Sequence, residues 1–262
     1  MSDNNSLLPD VIEPLSNAVH QNLPETEKET DGVLSTVVGF FNNVVLYPVK
    51  KANLTFKYKL ENFEADLQNK IVDIPPENLQ EPPIMIAGPT LEALRYAYDE
   101  EQLREMYENL LASAMDNRKN NETLPSFVDA IKQMSPLDAL ILNRLVDLYQ
   151  VMAAKISFGI KNTTSIYSKA MPSLFVPELL EDNDPFEVST SLLNLSRLGF
   201  LIIMDGTIKG RDYNLILQHQ YIQDRLFLFK EFGEEIEVKK TDKVILLNDY
   251  GKTFAHICLG KE

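Results

Sequence analysis

The feature that most constrains this chain is an uncharged run of eighteen residues, 32–49, with the sequence GVLSTVVGFFNNVVLYPV. Its length lies at the lower edge of a membrane span, which needs about 17–25 residues. Four Ser, Thr or Asn residues and two glycines weaken membrane insertion. Its apolar side chains would cover most of a helix, and such a helix is buried either in protein or in lipid. We therefore expect residues 33–49 to form buried core or a self-association segment, with membrane contact as the alternative.

The apolar side chains of this run define a candidate membrane or partner face. Its members are Val37, Val38, Phe40, Phe41, Val44 and Val45. Lys50 and Lys51 follow directly. Such bases suit an anionic membrane surface, but they also suit an ordinary helix C-terminus.

The acidity of the chain is concentrated ahead of this run. The net charge is -14 over 262 residues, and residues 1–32 contribute seven acidic side chains against one lysine. Residues 22–32 contain almost no apolar side chains, which is typical of a solvated segment. We therefore expect residues 1–32 to be an acidic and partly flexible N-terminal segment. An overall acidic balance also makes nucleic acid an improbable partner, because binding usually requires a basic face.

The sequence lacks the common signatures of catalysis and metal binding. It has one cysteine and three dispersed histidines, which excludes a disulfide framework and a Cys-rich metal site. It contains no P-loop, no dinucleotide-binding glycine fingerprint and no nucleophile elbow. The acidic clusters at 99–101 and 181–184 fit helix beginnings or loops. We therefore expect no enzymatic activity, no cofactor and no metal. A charged n-region is absent, so we expect a cytoplasmic location, with membrane association as the alternative.

The first half of the chain predicts helices. Apolar residues spaced for an amphipathic helix cover about 50–72, and a proline-rich stretch at 75–89 predicts an ordered extended crossing. Helical periodicity resumes at Thr90 and continues to Ala114, and a short helix follows Pro125. We interpret residues 33–134 as a helical domain that contains this crossing.

The second half predicts helices with a small β component. Ser135 and Pro136 indicate the start of a helix that reaches about residue 154, and residues 156–184 indicate a loop with short helices. Asp184 and Pro185 start another helix that ends near Gly199, and strands are predicted at 200–204 and 236–247. An insertion around 211–235 separates these strands, and a closing helix covers 250–259. The fold class is therefore mainly α with a small β component.

This order of helices and strands in residues 135–262 is typical of a winged-helix-like domain. One function of such a domain is to place a helix, here 185–198, in a DNA major groove. The other is protein packing or interaction. The helix has no net charge, whereas phosphate binding needs several bases. Candidate wing contacts are Lys239, Lys240 and Lys243, which compete with neighbouring acidic residues.

A series of short strings in their order and spacing resembles the abortive-infection alpha family of bacterial and phage proteins. The strings are IPPENL at 74–79, EPP at 81–83, LEAL at 91–94, EMYENLLASAMD at 105–116, PSFV at 125–128 and IKQMSP at 131–136. The Leu-Gly step at 198–199, Gly251, Phe254 and Cys258 also agree with the pattern. Leu124 departs from it, because a histidine often precedes the Pro-x-Phe step in similar sequences. The resemblance covers about 70–262.

The resemblance implies a role in defence against phages but supplies no catalytic residues. We therefore expect an abortive-infection protein that acts through protein–protein or membrane contacts rather than catalysis. The alternative is a winged-helix transcriptional regulator or nucleic-acid sensor. A protein partner or self-association is expected, and residues 33–49 are the candidate for membrane contact.

Overall fold

A computed structural model describes residues 54–161, 166–167, 171–230 and 235–261 of the chain. The acidic segment 1–32 and the candidate face within 33–49 lie outside the described residues. The helices are α1 (Leu54–Ile71), α2 (Ile84–Ala97), α3 (Glu101–Ala114), α4 (Ser126–Lys132), α5 (Pro136–Leu148), α6 (Pro185–Arg197), α7 (Asn214–Gln218), α8 (Gln220–Lys230) and α9 (Asp249–Leu259). The strands are β1 (Gln150–Ile160), β2 (Ile166–Tyr167), β3 (Leu201–Asp205) and β4 (Ile236–Leu247). The expected fold class, mainly α with a small β component, is confirmed.

Helix α3 lies at the centre of the helical part. The helix predicted at about 50–72 is confirmed over its described residues as α1, which buries Phe63, Leu67 and Ile71 at four-residue spacing. Helices α1, α2, α4, α5 and α9 all contact α3. The buried side chains of α3 include Leu103, Met106, Tyr107, Leu110 and Leu111. The described buried residues form one continuous core that extends from α1 to α9. This core crosses the expected domain boundary between residues 134 and 135.

The proline-rich crossing is shorter than predicted. A 3-10 turn at Pro76–Asn78 leads to an extended stretch, but helix α2 already begins at Ile84 and contains Pro89. Proline removes one helical hydrogen bond and usually ends a helix. Here the burial of Ile86 and Leu94 on the core-facing side of α2 offsets that loss. The expectation of extended chain over 84–89 is therefore wrong.

The crossing is fastened to the end of α3 by polar contacts. Gln80 donates its backbone N–H to the carbonyl of Met115 at 2.9 Å and its side-chain amide to the carbonyl of Ala114 at 3.0 Å. The side chains of Asn78 and Asn117 are hydrogen-bonded at 3.0 Å. Together with an isolated β-bridge between Leu79 and Asp116, these bonds hold the crossing against the end of α3.

Helix α5 begins as predicted but ends early. Ser135 and Asp138 form a reciprocal capping box at its N-terminus. The helix ends at Leu148, and Gln150–Ile160 form strand β1. The predictions of a helix to residue 154 and of a loop from 156 are therefore wrong over β1. Strand β1 pairs with β4 through eleven residue pairs, from Gln150 opposite Leu246 to Ile160 opposite Ile236. This pairing joins segments about ninety residues apart, so local periodicity does not reveal it.

The sheet is antiparallel with the order β2-β1-β4-β3. The strands predicted at 200–204 and 236–247 are confirmed as β3 and β4, and Gly199 ends α6 with a φ of +84°. Between these strands, the described residues of the segment 211–235 form α7 and α8.

The closing helix is confirmed as α9 and is anchored at both ends. Asn248 caps its first turn by accepting a hydrogen bond from the N–H of Gly251. At the other end, Asn109 and Ser113 of α3 donate to the carbonyls of Cys258 and Ile257. A helix leaves its last carbonyls without internal partners, so α3 satisfies two of them. Helix α9 is thereby held against α3.

Candidate interaction surface

The outward face of α5 carries an exposed apolar side chain between two clefts. Leu140 is 49% exposed, and Arg144 and Asp147 are exposed further along the helix. Leu140 and Asn143 line both clefts. Leu140 therefore forms an apolar ridge on a face where the other exposed side chains are charged.

The first cleft has a volume of about 210 Å³. It lies between α5 and the segment 179–183, and its lining includes Leu137, Ile141 and Leu179. An ion pair crosses it, with Arg144 Nη1 3.4 Å from Glu181 Oε1. Both partners are more than half exposed, so the pair adds little stability.

The second cleft has a volume of about 260 Å³ and lies between α5, α3 and the end of α9. Its lining includes Gln102, Glu105 and Met106 of α3 and Leu259 of α9. Lys261 also lines it and places its Nζ 2.6 Å from Asp147 Oδ1 on α5. We call the two clefts together with Leu140 and Asn143 the α5 groove.

The size of the α5 groove indicates what can bind in it. Pockets for small molecules usually enclose about 300–1,000 Å³. Each cleft is smaller and open, and a half-exposed leucine separates them. This shape fits side chains of a protein segment that lie on either side of Leu140, as in helix-in-groove recognition.

Backbone strain is found at the same place. Tyr149 (φ 60°) and Glu181 (φ 43°) are the non-glycine residues with positive φ in the part of the chain that the structure describes. Tyr149 follows the last residue of α5, and Glu181 lines the first cleft. Such conformations cost about 1–3 kcal/mol and cluster at functional sites. Of these two residues, only Glu181 belongs to the lining of the α5 groove.

A buried polar cluster fixes the position of α5. The Asp138 carboxylate accepts hydrogen bonds from Ser191 Oγ at 2.5 Å, from Asn194 Nδ2 at 2.9 Å and from the backbone N–H of Ser135 at 2.7 Å. Asp138 is only 3% exposed. Because these donors come from α6 and from the turn before α5, the cluster joins the two helices rigidly.

The candidate wing lysines lie within β4 and are each paired with an acidic side chain. Lys239 Nζ is 3.6 Å from Glu237, Lys240 Nζ is 2.9 Å from Asp242, and Lys243 Nζ is 2.5 Å from Asp205. Lys240 also donates to the backbone carbonyl of Tyr213 at 2.9 Å. These bases are thus largely neutralised within the chain.

The exposed face of α6, the candidate DNA-reading helix, has no net charge. It consists of Phe186, Glu187, Thr190, Leu193 and Arg197. Arg197 donates to Gln133 Oε1 at 2.9 Å. A face of this composition offers little to a phosphate backbone.

A buried carboxylate at the contact of α1 with α3 has an unusual environment. Burial raises the pKa of Glu108 from 4.5 to about 7, although the cations Lys70 and Arg104 lower it in part. Lys70 Nζ lies 3.7 Å and Arg104 Nε 3.5 Å from its oxygens, and Glu108 Oε1 has no hydrogen-bond partner. Glu108 therefore takes up a proton near neutral pH.

The remaining chemistry is sparse within the described residues. They contain no cluster of His, Cys, Asp and Glu side chains suited to a metal ion, and no helix among them has the length and apolarity of a membrane span. Cys258 is fully buried, and this burial raises the pKa of its thiol.

Sequence reasoning identified α5 but missed the groove. By its apolar spacing Leu140 belongs with Leu137, Ile141 and Leu145, of which Ile141 and Leu145 are buried. The sequence nevertheless contains a signal that Leu140 is exposed. The charged Arg144 and Asp147 follow it at four- and seven-residue spacing and therefore share its helix face. The segment 179–183, which lines the other side of the first cleft, is distant from α5 in the sequence.

Comparison with known proteins identifies the family. The sequence model of the abortive infection alpha family matches residues 55–258, which is most of the chain. The chain therefore belongs to the abortive infection alpha family. No curated protein and no solved structure matches it.

Proposed function

We propose that this chain is an abortive-infection protein that acts by contact with another protein, and that the α5 groove is its contact surface. Family membership supports the role in phage defence. The observation that carries the contact mode is the exposed Leu140 between two side-chain-sized clefts. Interfaces are commonly centred on such apolar anchors with a polar rim. Here Arg144, Asp147 and Glu105 form that rim.

The alternative is a winged-helix regulator or nucleic-acid sensor that uses α6. It is supported by the sheet order β1-β4-β3 and by α6 directly ahead of β3. The uncharged face of α6 and the paired lysines of β4 make it the weaker proposal.

Two leucines distinguish these functions. Leu140 on α5 is 49% exposed, and Leu193 on α6 is 47% exposed. Leu140→Asp and Leu193→Asp therefore introduce the same change at matched exposure on neighbouring helices. Bacteria expressing each full-length variant would be challenged with a panel of phages, and plaquing efficiency would be measured.

We expect Leu140→Asp to lose protection while Leu193→Asp keeps it, with both variants folded by circular dichroism. Loss in Leu193→Asp alone would favour the α6 proposal, as would retardation of DNA by the unmodified chain in a low-salt gel shift. Protection that survives Leu140→Asp would reject the groove as the contact surface.

The membrane form of contact concerns residues 33–49. It is tested by leakage of dye from anionic vesicles with the full chain and with Phe40→Asp, Phe41→Asp. Leakage that depends on these two residues supports membrane contact, and no leakage from either protein argues against it.

A further inference from the structure

The sheet has an open edge at strand β3, which pairs with β4 on its inner side. Just beyond β3, the N–H of Gly206 donates to the carbonyl of Asp242 at 3.2 Å. Hydrogen-bonded pairs alternate along an antiparallel ladder, so the even-numbered residues of β3 bond to β4. The odd-numbered residues, Leu201, Ile203 and Asp205, therefore point their backbone N–H and C=O groups outward. These groups have no hydrogen-bond partner among the described residues.

The opposite edge of the same sheet is protected. On β1, the N–H of Met152 donates to the Glu178 carboxylate at 2.9 Å. Ala154 exchanges two hydrogen bonds of 2.9 Å with Phe175, and β2 pairs with β1 at Phe158. Native sheets commonly guard their edges by such cover, or by proline, lysine or a bulge. Strand β3 contains none of these three, so its edge is available for pairing.

We propose that this edge pairs antiparallel with β3 of a second copy of the chain, centred on Ile203. In that register Ile203 faces its own counterpart, and Leu201 faces Asp205 of the other copy. Each of these residue pairs exchanges both of its hydrogen bonds, so every outward N–H and C=O of the two strands is satisfied. No residue of β3 lines the α5 groove, so this surface goes beyond the proposed function.

The exposed side chains of β3 match each other in this register. Ile202 is 39% and Met204 44% exposed, and both lie on the sheet face opposite to the buried Leu201. The register places Ile202 of each copy opposite Met204 of the other, with Cβ atoms about 4.5–5.5 Å apart. Both apolar side chains are then removed from water together. Because the same two residues supply both sides of the contact, a second copy is the occupant that this edge fits.

Charge does not oppose the pairing. Asp205 is the charged residue of β3, and Lys243 of β4 places its Nζ 2.5 Å from the Asp205 carboxylate. In the paired strands the two copies of Asp205 lie at opposite ends of the seam, about 13 Å apart along the strand. The Debye length at physiological ionic strength is about 8 Å, so their repulsion is largely screened.

The seam is short, which sets its expected strength. Stable interfaces commonly involve about 20–30 residues from each partner, whereas β3 has five residues. We therefore expect a dimer whose fraction rises with protein concentration rather than a permanent one.

Sedimentation of the full chain over a range of concentrations tests the pairing. Met204→Lys should raise the dissociation constant of the dimer at least about tenfold, because it places a charge against Ile202 of the second copy. Leu193→Lys on α6 is the matched control, since Leu193 is 47% exposed, and it should leave the constant unchanged. A dimer that Met204→Lys leaves intact would overturn the proposal. A monomer at every concentration would also overturn it and leave the edge to a strand of another protein.

Complementary charges test the register itself. Ile202→Glu should also weaken the dimer when present alone. When it is mixed with Met204→Lys, a heterodimer places the new glutamate opposite the new lysine, and its other seam pair stays apolar. We expect the heterodimer to bind at least about fivefold more tightly than either variant binds itself. A mixture that stays as monomeric as its components would overturn the register centred on Ile203.

Two further measurements keep this surface separate from the others. Leu140→Asp should leave dimerisation unchanged, because Leu140 lies on α5 and not on β3. Loss of the dimer in Leu140→Asp or in Leu193→Lys would place self-association on α5 or α6 and overturn pairing through β3. Circular dichroism of each variant checks that a lost dimer is not an unfolded chain.

Discussion

Gly251 of α9 lies so close to Phe200 that a Cβ on Gly251 would collide with the Phe200 carbonyl oxygen. The contact brings α9 against the chain that enters β3. Phe200 also packs on Phe254, with ring centroids 4.4 Å apart. Only a residue without a side chain permits this approach.

Gly251→Ala is therefore expected to lower the free energy of unfolding by about 3 kcal/mol, because backbone atoms must move. Gly88→Ala in α2 is the matched control, since nothing lies within 4 Å of its added Cβ. Because alanine favours helix, that control should gain about 0.5–1 kcal/mol. Urea denaturation measures both. Equal effects of the two substitutions would contradict the close approach.

Asp138→Ala is expected to lower the free energy of unfolding by about 3 kcal/mol. It removes the acceptor of Ser191, Asn194 and the Ser135 N–H inside the protein, and unpaired buried donors are costly. Asp147→Ala breaks only an exposed ion pair with Lys261 and should cost less than about 1 kcal/mol. Thermal unfolding compares them, and a mild effect of Asp138→Ala would argue against a structural role for the cluster.

Glu108 makes stability depend on pH. Because burial raises its pKa in the folded protein to about 7, the stabilisation is fully present below about pH 4.5 and is lost as pH rises through 7. Lys70 and Asp66 from α1 and Arg104 and Glu105 from α3 surround it. Glu108→Gln should thus be more stable than the unmodified chain at pH 8, by about 3 kcal/mol.

The measurement is the free energy of unfolding by urea between pH 5 and pH 8. The Glu108→Gln profile should be flatter than that of the unmodified chain. Glu101→Gln, exposed at the start of α3, should leave the slope unchanged. A slope that persists in Glu108→Gln would place the titrating group elsewhere.

Tyr149→Gly should stabilise the chain relative to Tyr149→Ala by about 1 kcal/mol. Both substitutions remove a side chain that is 79% exposed, so packing changes little. Only glycine relieves the positive φ of 60°. Thermal unfolding of the pair isolates the backbone strain, and equal melting temperatures would show that none is stored there.

Much of the fold follows from local sequence. The Ser135–Asp138 capping box, the Asp184 cap and the Gly199 helix end are all short-range chemistry, and each was predicted. Strand β1 was not, because its partner lies some ninety residues away and its apolar pattern, Val151 with Ala153 and Ala154, also fits a buried helix.

The candidate surface depends still more on tertiary structure. Whether Leu140 lies in the core or on a ridge is decided by where segment 179–183 and α3 meet α5. The local pattern shows only that Leu140 shares a helix face with Arg144 and Asp147. Pro89 shows the same limit of prediction from local sequence. Proline normally ends a helix, but the burial of Ile86 and Leu94 keeps the chain helical around it.

The bonds from Asn109 and Ser113 to the last turn of α9 span 149 and 144 positions of sequence. Strand β1 likewise has no β4 to pair with until residues 236–247 have been made. During synthesis on the ribosome, α3 and β1 emerge long before the segments that cover them. The part of α3 that faces α9 stays uncovered until residue 258 has been made, so a nascent or prematurely terminated chain exposes apolar surface that chaperones and proteases recognise.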